Sequence, residues 1–319
     1  MSEPQTVLVV GEALIDIVQP QDAESTEHVG GSPANVAVGV AALGHPTMLA
    51  TFIGQDDRGE TIADYLRERQ VGLVDGSQDA EQTSTATAKL DEEGGATYDF
   101  ELQWEVPAVD LTPFGHVHTG SIAATLQPGA SDVFALMSSA RENATVSYDP
   151  NARPTIMGSA HDARGTIEER IGRSDVVKAS AEDIEWLYEG AAATQVARLW
   201  GRLGPALVII TDGRRGALVH HTPTDAQTWV DAMSITVVDT VGAGDSFMGG
   251  LISGLLDAGM LGSAAARDRL IGASSEALTA AVHRGISSAA YTVARKGAAS
   301  PTRSDLDIPV VAEGNQGDG

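Results

Sequence analysis

Short aliphatic, β-branched runs alternate with segments of helical periodicity along most of the chain, and this alternation constrains its fold more than any other feature. The strand-like runs lie at 7–10, 48–53, 117–119, 144–148, 175–177 and 206–211. The helix-like segments lie at 34–43, 59–69, 130–140, 165–171, 182–189 and 194–203. A helix between successive strands leaves no room for a tight hairpin, so the strands are expected to pair in parallel, with helices on both faces. The expected class is α/β, built on a mostly parallel sheet. Its length, 319 residues, allows one large domain or two smaller ones, and with only 4% aromatics the packing has to rely on Val, Leu, Ile, Ala and Gly.

Two pieces break the alternation. Leu14 to Val18 reads as a strand, and 83–90 with 96–102 reads as a hairpin around the turn Asp91-Glu92-Glu93-Gly94-Gly95. Ala96, Tyr98, Phe100 and Leu102 share one face of that hairpin, against Thr97, Asp99 and Glu101 on the other, so the apolar face needs a cover. A small lid sheet paired with a second subunit, a homodimer through the lid, would satisfy it.

The chemistry concentrates in Asp239-Thr240-Val241-Gly242-Ala243-Gly244-Asp245-Ser246. Ile235, Val237 and Val238 before it read as a short strand, and Phe247, Met248, Leu251, Ile252, Leu255 and Leu256 after it recur at helical spacing. The turn is therefore expected to open a helix. Amides at a helix start lack intrahelical partners and carry the positive end of the dipole, so an anion is stabilised there, and the two glycines let it approach the backbone. Asp245 at the mouth of this nest can accept the proton of an attacking hydroxyl while the amides of Gly242, Ala243 and Gly244 hold the transferred charge. The pattern is not a P-loop, which needs Lys-Ser/Thr after the last glycine. Taken alone, the same residues also fit a tight turn with Asp as an ordinary cap.

Other segments bear on that choice. Gly30-Gly31-Ser32-Pro33-Ala34-Asn35 leads into a second helix, with Ser32 as its expected cap and Asn35 either a local cap or a hydroxyl ligand. Asp16 interrupts an apolar strand and must meet water, a donor or a ligand diol. Thr211-Asp212-Gly213-Arg214-Arg215-Gly216 follows an apolar strand, as a turn or a nucleotide-phosphate contact. Asp149-Pro150-Asn151-Ala152-Arg153 would bring Asn151 and Arg153 to the carboxyl edge of the sheet, where ligands of open α/β sheets collect.

Charge narrows the partners. The balance, 20 − 44 = −24, argues against nonspecific nucleic-acid binding and against anionic membranes. An acidic chain that handles a polyphosphate must neutralise it locally, which makes the amide nest and a divalent metal more necessary. There is no cysteine, so disulfides and thiolate zinc sites are excluded, and the eight histidines show no metal-ligand spacing. Val7 to Val10 is too short for a signal-peptide core, and the uncharged stretch Val29 to Gln55 is broken by Pro33, Asn35 and His45-Pro46, so a cytoplasmic protein is expected.

In order, GEALID (11–16), GGSPANVAVGVAALG (30–44), FIGQDDRG (52–59), DPNAR (149–153), TDGRRG (211–216) and DTVGAGDSF (239–247) resemble the ribokinase-like, or PfkB-type, carbohydrate kinases. The resemblance implies a three-layer α/β/α ribokinase-like domain over 1–310, with a small β-sheet lid from about 12–30 and 83–104. The tail 311–319 is expected to be disordered. It implies ATP as donor, Mg²⁺ as required metal and K⁺ as a monovalent activator. By position, Asp245 would be the base and Gly242, Ala243 and Gly244 the anion hole; Asp16, Gly31, Asn35 and Arg153 would contact the sugar. Lys178, Thr211, Gly213 and Gly216 would lie along the nucleotide, and the carbonyls of Asp239 and Val241 would hold the monovalent cation. The family's Asn-x-x-Glu element is Ser180-Ala181-Glu182-Asp183 here, with the shorter Asp183 in the water-mediated Mg²⁺ role. Among subfamilies the segments look most like fructokinase, with fructose 6-phosphate as product. The alternatives are a 2-keto-3-deoxygluconate kinase or another sugar or nucleoside kinase of the family and, from another class, a non-catalytic sugar-binding regulator on the same fold.

Overall fold

A computed structural model describes residues 6–20, 24–90 and 96–307. The strands are β1 (Thr6–Val10), β2 (Leu14–Gln19), β3 (Thr26–Gly30), β4 (Thr47–Ala50), β5 (Val71–Leu73), β6 (Thr85–Leu90), β7 (Ala96–Glu101), β8 (Phe114–Gly120), β9 (Thr145–Asp149), β10 (Val176–Ser180), β11 (Leu207–Thr211), β12 (Ala217–His221) and β13 (Ala226–Val230). Interleaved with them are the helices α1 (Ser32–Ala42), α2 (Asp57–Glu68), α3 (Gly129–Ala140), α4 (Pro154–Met157), α5 (Ala160–Ile171), α6 (Ala181–Leu187), α7 (Ala193–Gly201), α8 (Ala243–Asp257), α9 (Ala264–Ile271) and α10 (Ser275–Val293).

Among the described residues the main sheet has nine strands in the order β13-β12-β11-β10-β9-β8-β1-β4-β5. The strands from β11 to β5 pair in parallel, as their helical crossovers require, and β12 and β13 add an antiparallel edge. Successive side chains of β1 point to opposite faces. Val7 and Val9 pack with Val36 and Val40 of α1, Leu251 of α8 and Val282 of α10. Leu8 and Val10 pack on the other face with Val133 of α3, Ile167 of α5, Leu187 of α6 and Trp200 of α7. The result is three layers, and full burial of each Leu or Ile contributes about 1.5–3 kcal/mol.

The four-stranded second sheet, β3-β2-β6-β7, is made of the segments expected as the lid, with β2 parallel to β6 and both outer pairs antiparallel. Asp56 anchors it to the body: its carboxylate caps α2 through Gly59 N–H at 2.8 Å and accepts from Thr83 N–H at 2.9 Å and the Thr83 hydroxyl at 2.6 Å, just before β6. On β7, Tyr98 stacks on Phe100 with ring centroids 6.1 Å apart, yet Tyr98 is 58% exposed.

One expectation fails. Ile235, Val237 and Val238 form no strand; 231–240 is irregular, all three side chains are exposed, and Val238 N–H is tied to the end of α10 through Val293 O at 2.7 Å. β-Branched residues read as a strand only when a sheet is there to bury them. The turn at 91–95 and the tail at 311–319 fall outside the described residues.

Candidate active site

The carboxyl ends of β1, β9 and β10 and the N-termini of α1 and α8 meet at one edge of the main sheet, the edge where open parallel sheets bind ligands. Gly242 caps α8 with φ 73°, a left-handed conformation that favours glycine, and a Cβ there would lie 2.5 Å from the Ala298 methyl carbon. The turn before it is fixed by its own side chain: Asp239 accepts from Val241 N–H at 3.1 Å and Gly297 N–H at 2.9 Å. Ala243 N–H donates to Thr240 O at 3.3 Å, a long bond to a neutral acceptor that an arriving anion can outcompete. Gly244 is exposed at the helix start, while Asp245 is buried beneath it.

α1 reaches Asp245 from the opposite side. Ser32 donates its hydroxyl to Asp245 Oδ1 at 2.6 Å and Asn35 donates its amide to Oδ2 at 2.8 Å. Neither residue caps α1. The N-cap is Gly31, at φ 105°, with no side-chain cap, because Ser32 is already the first helical residue and its hydroxyl is turned to Asp245. A Cβ on Gly31 would lie 2.5 Å from Glu12 O, so the bend from β3 into α1 admits only glycine. The two helices approach closely further along, where Gly39 backs onto Gly249. That close crossing lets two N-termini remote in sequence share one carboxylate.

A third segment joins from β9. Asn151, left-handed at φ 37°, donates its amide to Ser32 Oγ at 2.7 Å, and Arg153 donates to Asn151 Oδ1 at 2.7 Å. Beside the nest, Lys178 on β10 bonds Asp149 at 2.7 Å, both nearly without solvent exposure. Burial works against the ammonium, but Asp149, with Asp183 and Asp245 nearby, outweighs it and holds the Lys178 pKa above its usual range. A Cβ on Gly244 would sit 3.0 Å from Lys178 Nζ, so that charge borders the nest.

Asp183 is occupied otherwise. It completes a capping box on α6, accepting from Ser180 N–H and Oγ, each at 2.8 Å, and its other oxygen takes Ala152 N–H at 2.8 Å. Asp16 projects from β2, exposed at its own surface, over Gly30, where a side chain would collide with its carboxylate. The protein mass around this position raises its pKa, against the attraction of Arg153 and His28. Thr211, Gly213 and Gly216 lie at the end of β11, apart from the Asp245 cluster; Gly216 has φ 102°, and a Cβ would lie 2.0 Å from Val230 O. Among the described residues no group of three or more His, Asp or Glu could hold a metal ion.

Sequence reasoning missed two groups. Glu12 is buried at the end of β1, and burial pushes its carboxyl up to about 7, although its own backbone N–H, the Ser121 hydroxyl and the Ala123 N–H at 3.2 Å favour the charged form. The Gly-Glu pair was visible in the sequence, but nothing there signals burial. The Thr292 hydroxyl of α10 lies within hydrogen-bond distance of Ser246 Oγ, 2.7 Å, behind the nest, a contact without any local sequence signal.

Comparison with known proteins bears on this geometry. Residues 4–305 match the family described as pfkB family carbohydrate kinase. A fructokinase of Klebsiella pneumoniae is 32% identical over 265 residues, covering 78% of this chain and 84% of that protein. The crystal structure of a fructokinase from Xylella fastidiosa superimposes with TM-score 0.81 at 27% identity, covering 96% of this chain and 98% of that one. A fructokinase double mutant from Vibrio cholerae O395, in fructose, ADP and potassium ion bound form, superimposes with TM-score 0.77 at 26% identity over 95% of this chain and 97% of that one.

Proposed function

We infer the reaction from kinship and geometry together: the chain belongs to the pfkB family of carbohydrate kinases, and we propose that it moves the γ-phosphoryl group of ATP to D-fructose, giving fructose 6-phosphate. The observation that carries the reading is the convergence of α1 and α8 on Asp245, with Ser32 and Asn35 on its two oxygens and the amide nest beside it. In this reading the primary hydroxyl of the sugar gives its proton to Asp245 and its oxygen attacks the γ-phosphorus as the bond to ADP breaks. The amides of Gly242, Ala243 and Gly244 hold the charge on the transferred group, with Lys178 alongside.

Asp16, Gly31, Asn35 and Arg153 are assigned to the sugar, and Thr211, Gly213 and Gly216 to the nucleotide. The family implies a divalent metal, which we take to be Mg²⁺; when bound it neutralises phosphate charge. Asp183 already accepts three hydrogen bonds, so it suits at most a water-mediated contact, and the ion is expected to enter with the nucleotide rather than in a protein cage. The carbonyls of Asp239 and Val241 are assigned to K⁺, on a turn that the Asp239 side chain already stiffens. A reaction that consumes ATP suits the cytoplasm, and among the described residues no helix is long and apolar enough to cross a membrane.

Fructose is favoured by the fructokinase relatives and by charge. A neutral polyol needs hydroxyl partners such as Asp16 and Asn35, whereas a keto acid needs a placed cation. The second reading, 2-keto-3-deoxygluconate, draws on Arg153, which is exposed and attracts Asp16 electrostatically. A panel of sugars with ATP and Mg²⁺ decides: turnover of D-fructose is expected well above that of 2-keto-3-deoxygluconate. The reverse ranking moves the assignment to the keto acid with Arg153 as carboxylate partner, and absence of turnover on any sugar returns the protein to a binding role.

A further inference from the structure

We propose that Ser32 is a positioning residue for the phosphoryl-transfer base, the middle member of a one-way hydrogen-bond chain that fixes Oδ1 of Asp245 and leaves Oδ2 to take the sugar proton. This rests on the reading of Asp245 as the base.

The direction of every link follows from the groups themselves. A guanidinium can only donate, so the Asn151 atom 2.7 Å from Arg153 is its amide oxygen and the amide nitrogen faces the other way. That nitrogen lies 2.7 Å from Ser32 Oγ, and it too can only donate. The Ser32 hydroxyl therefore accepts from Asn151 and has its single proton left for Asp245 Oδ1, at 2.6 Å. Asn151 itself lies 3.5 Å from the same oxygen, too far to replace the hydroxyl. Such a chain polarises along its length, so the last bond is stronger than an isolated hydroxyl contact.

The other oxygen is held differently. Asn35 contacts Oδ2 at 2.8 Å, and its amide is less buried than the Ser32 hydroxyl. An arriving sugar hydroxyl can take the place of the amide on Oδ2, and the released amide can turn to the sugar. Meanwhile Ser32 stops the carboxylate from rotating about its Cβ–Cγ bond. Two oxygens that look equivalent in the sequence thus have separate tasks, one anchored and one exchangeable.

The test compares Ser32→Ala, Ser32→Thr and Asp245→Asn in the full-length protein, with D-fructose, ATP and Mg²⁺. Ser32→Ala is expected to lower kcat on the order of 10-fold with KM for the sugar within about twofold, since a hydrogen bond to a charged group is lost at the base alone. Ser32→Thr, which keeps the hydroxyl, should recover most of the rate. Unchanged kcat in Ser32→Ala overturns the proposal, as does a KM that rises as much as kcat falls, or a Ser32→Thr rate no better than that of Ser32→Ala. Near-native turnover in Asp245→Asn instead overturns the assignment of the base, so the two failures are distinguishable.

Discussion

Replacing Asp245 with alanine removes the acceptor for the sugar proton but leaves the amides of Gly242 to Gly244 in place. On the proposed mechanism kcat is expected to fall on the order of 10²–10⁴-fold while sugar affinity changes less; steady-state kinetics at near-native rate would remove Asp245 from the reaction. Glu12 offers a prediction on stability. Its carboxyl ordinarily titrates at 4.5 and here is raised to about 7. The folded protein therefore keeps a proton that the unfolded chain releases, so the stabilisation is complete below about pH 4.5 and lost as pH rises through about 7. Glu12→Gln keeps an acceptor for Ala123 N–H and removes the ionisation. Its stability relative to the parent is expected to rise by about 2 kcal/mol between pH 5 and pH 8, measured by urea unfolding. A difference that stays flat over that range excludes the perturbed carboxyl. The position of Asp245 at a glycine-led helix start was legible in the sequence, because Gly242 and Gly244 precede an apolar run at helical spacing. The partners of Asp245 were not: Ser32 read as a local cap and Asn35 as a cap or a hydroxyl ligand, since sequence shows what a side chain can bond and not which remote chain arrives to be bonded.

Among the elements, the second sheet meets the body along β2, where Ile15 joins the core that holds Val7 and Val9, and along β3, where Glu27 pairs with Arg58 of α2. It is fastened through Asp56 to Thr83 and through the strand β2 that leaves the body at Ala13, whose N–H bonds Thr51 Oγ1 at 3.0 Å. If the lid closes over bound sugar, amide exchange in 85–90 and 96–101 should slow when fructose is added, while the central strands β1 and β8 stay unchanged. Identical exchange with and without sugar would mean that these strands do not cover it. The six alternating strand and helix pairs were legible because the helices carry an apolar stripe and the strands are short and rich in β-branched and aromatic residues. The antiparallel edge β12–β13 and the long helix α10 escaped notice, and Ile235 to Val238 were misread, for one reason. Apolar residues mark burial only on average, and Val238 is left 55% exposed while His220 and His221 of β12 are buried.

At the scale of the whole molecule, the two ends of the sequence share a core. Val36 and Val40 of α1 belong to the same buried cluster as Leu251 of α8 and Leu278, Val282 and Ile286 of α10. A chain cut after Ala258 would keep every residue assigned to the reaction and lose that last helix. It is expected to be insoluble or to lack the cooperative unfolding of the parent, as followed by far-UV circular dichroism; a soluble, cooperatively folding fragment would show α10 to be dispensable. The arrangement also matters during synthesis. Translation at roughly 5–20 residues per second puts about 10–40 s between the appearance of α1 and that of α8, the helix that packs on it. For that interval the nascent chain carries β1 and an uncovered apolar helix beside the ribosome. Vectorial folding from the N-terminus cannot complete this domain, and its yield in a cell is set as much by what shields α1 in those seconds as by the stability of the finished protein.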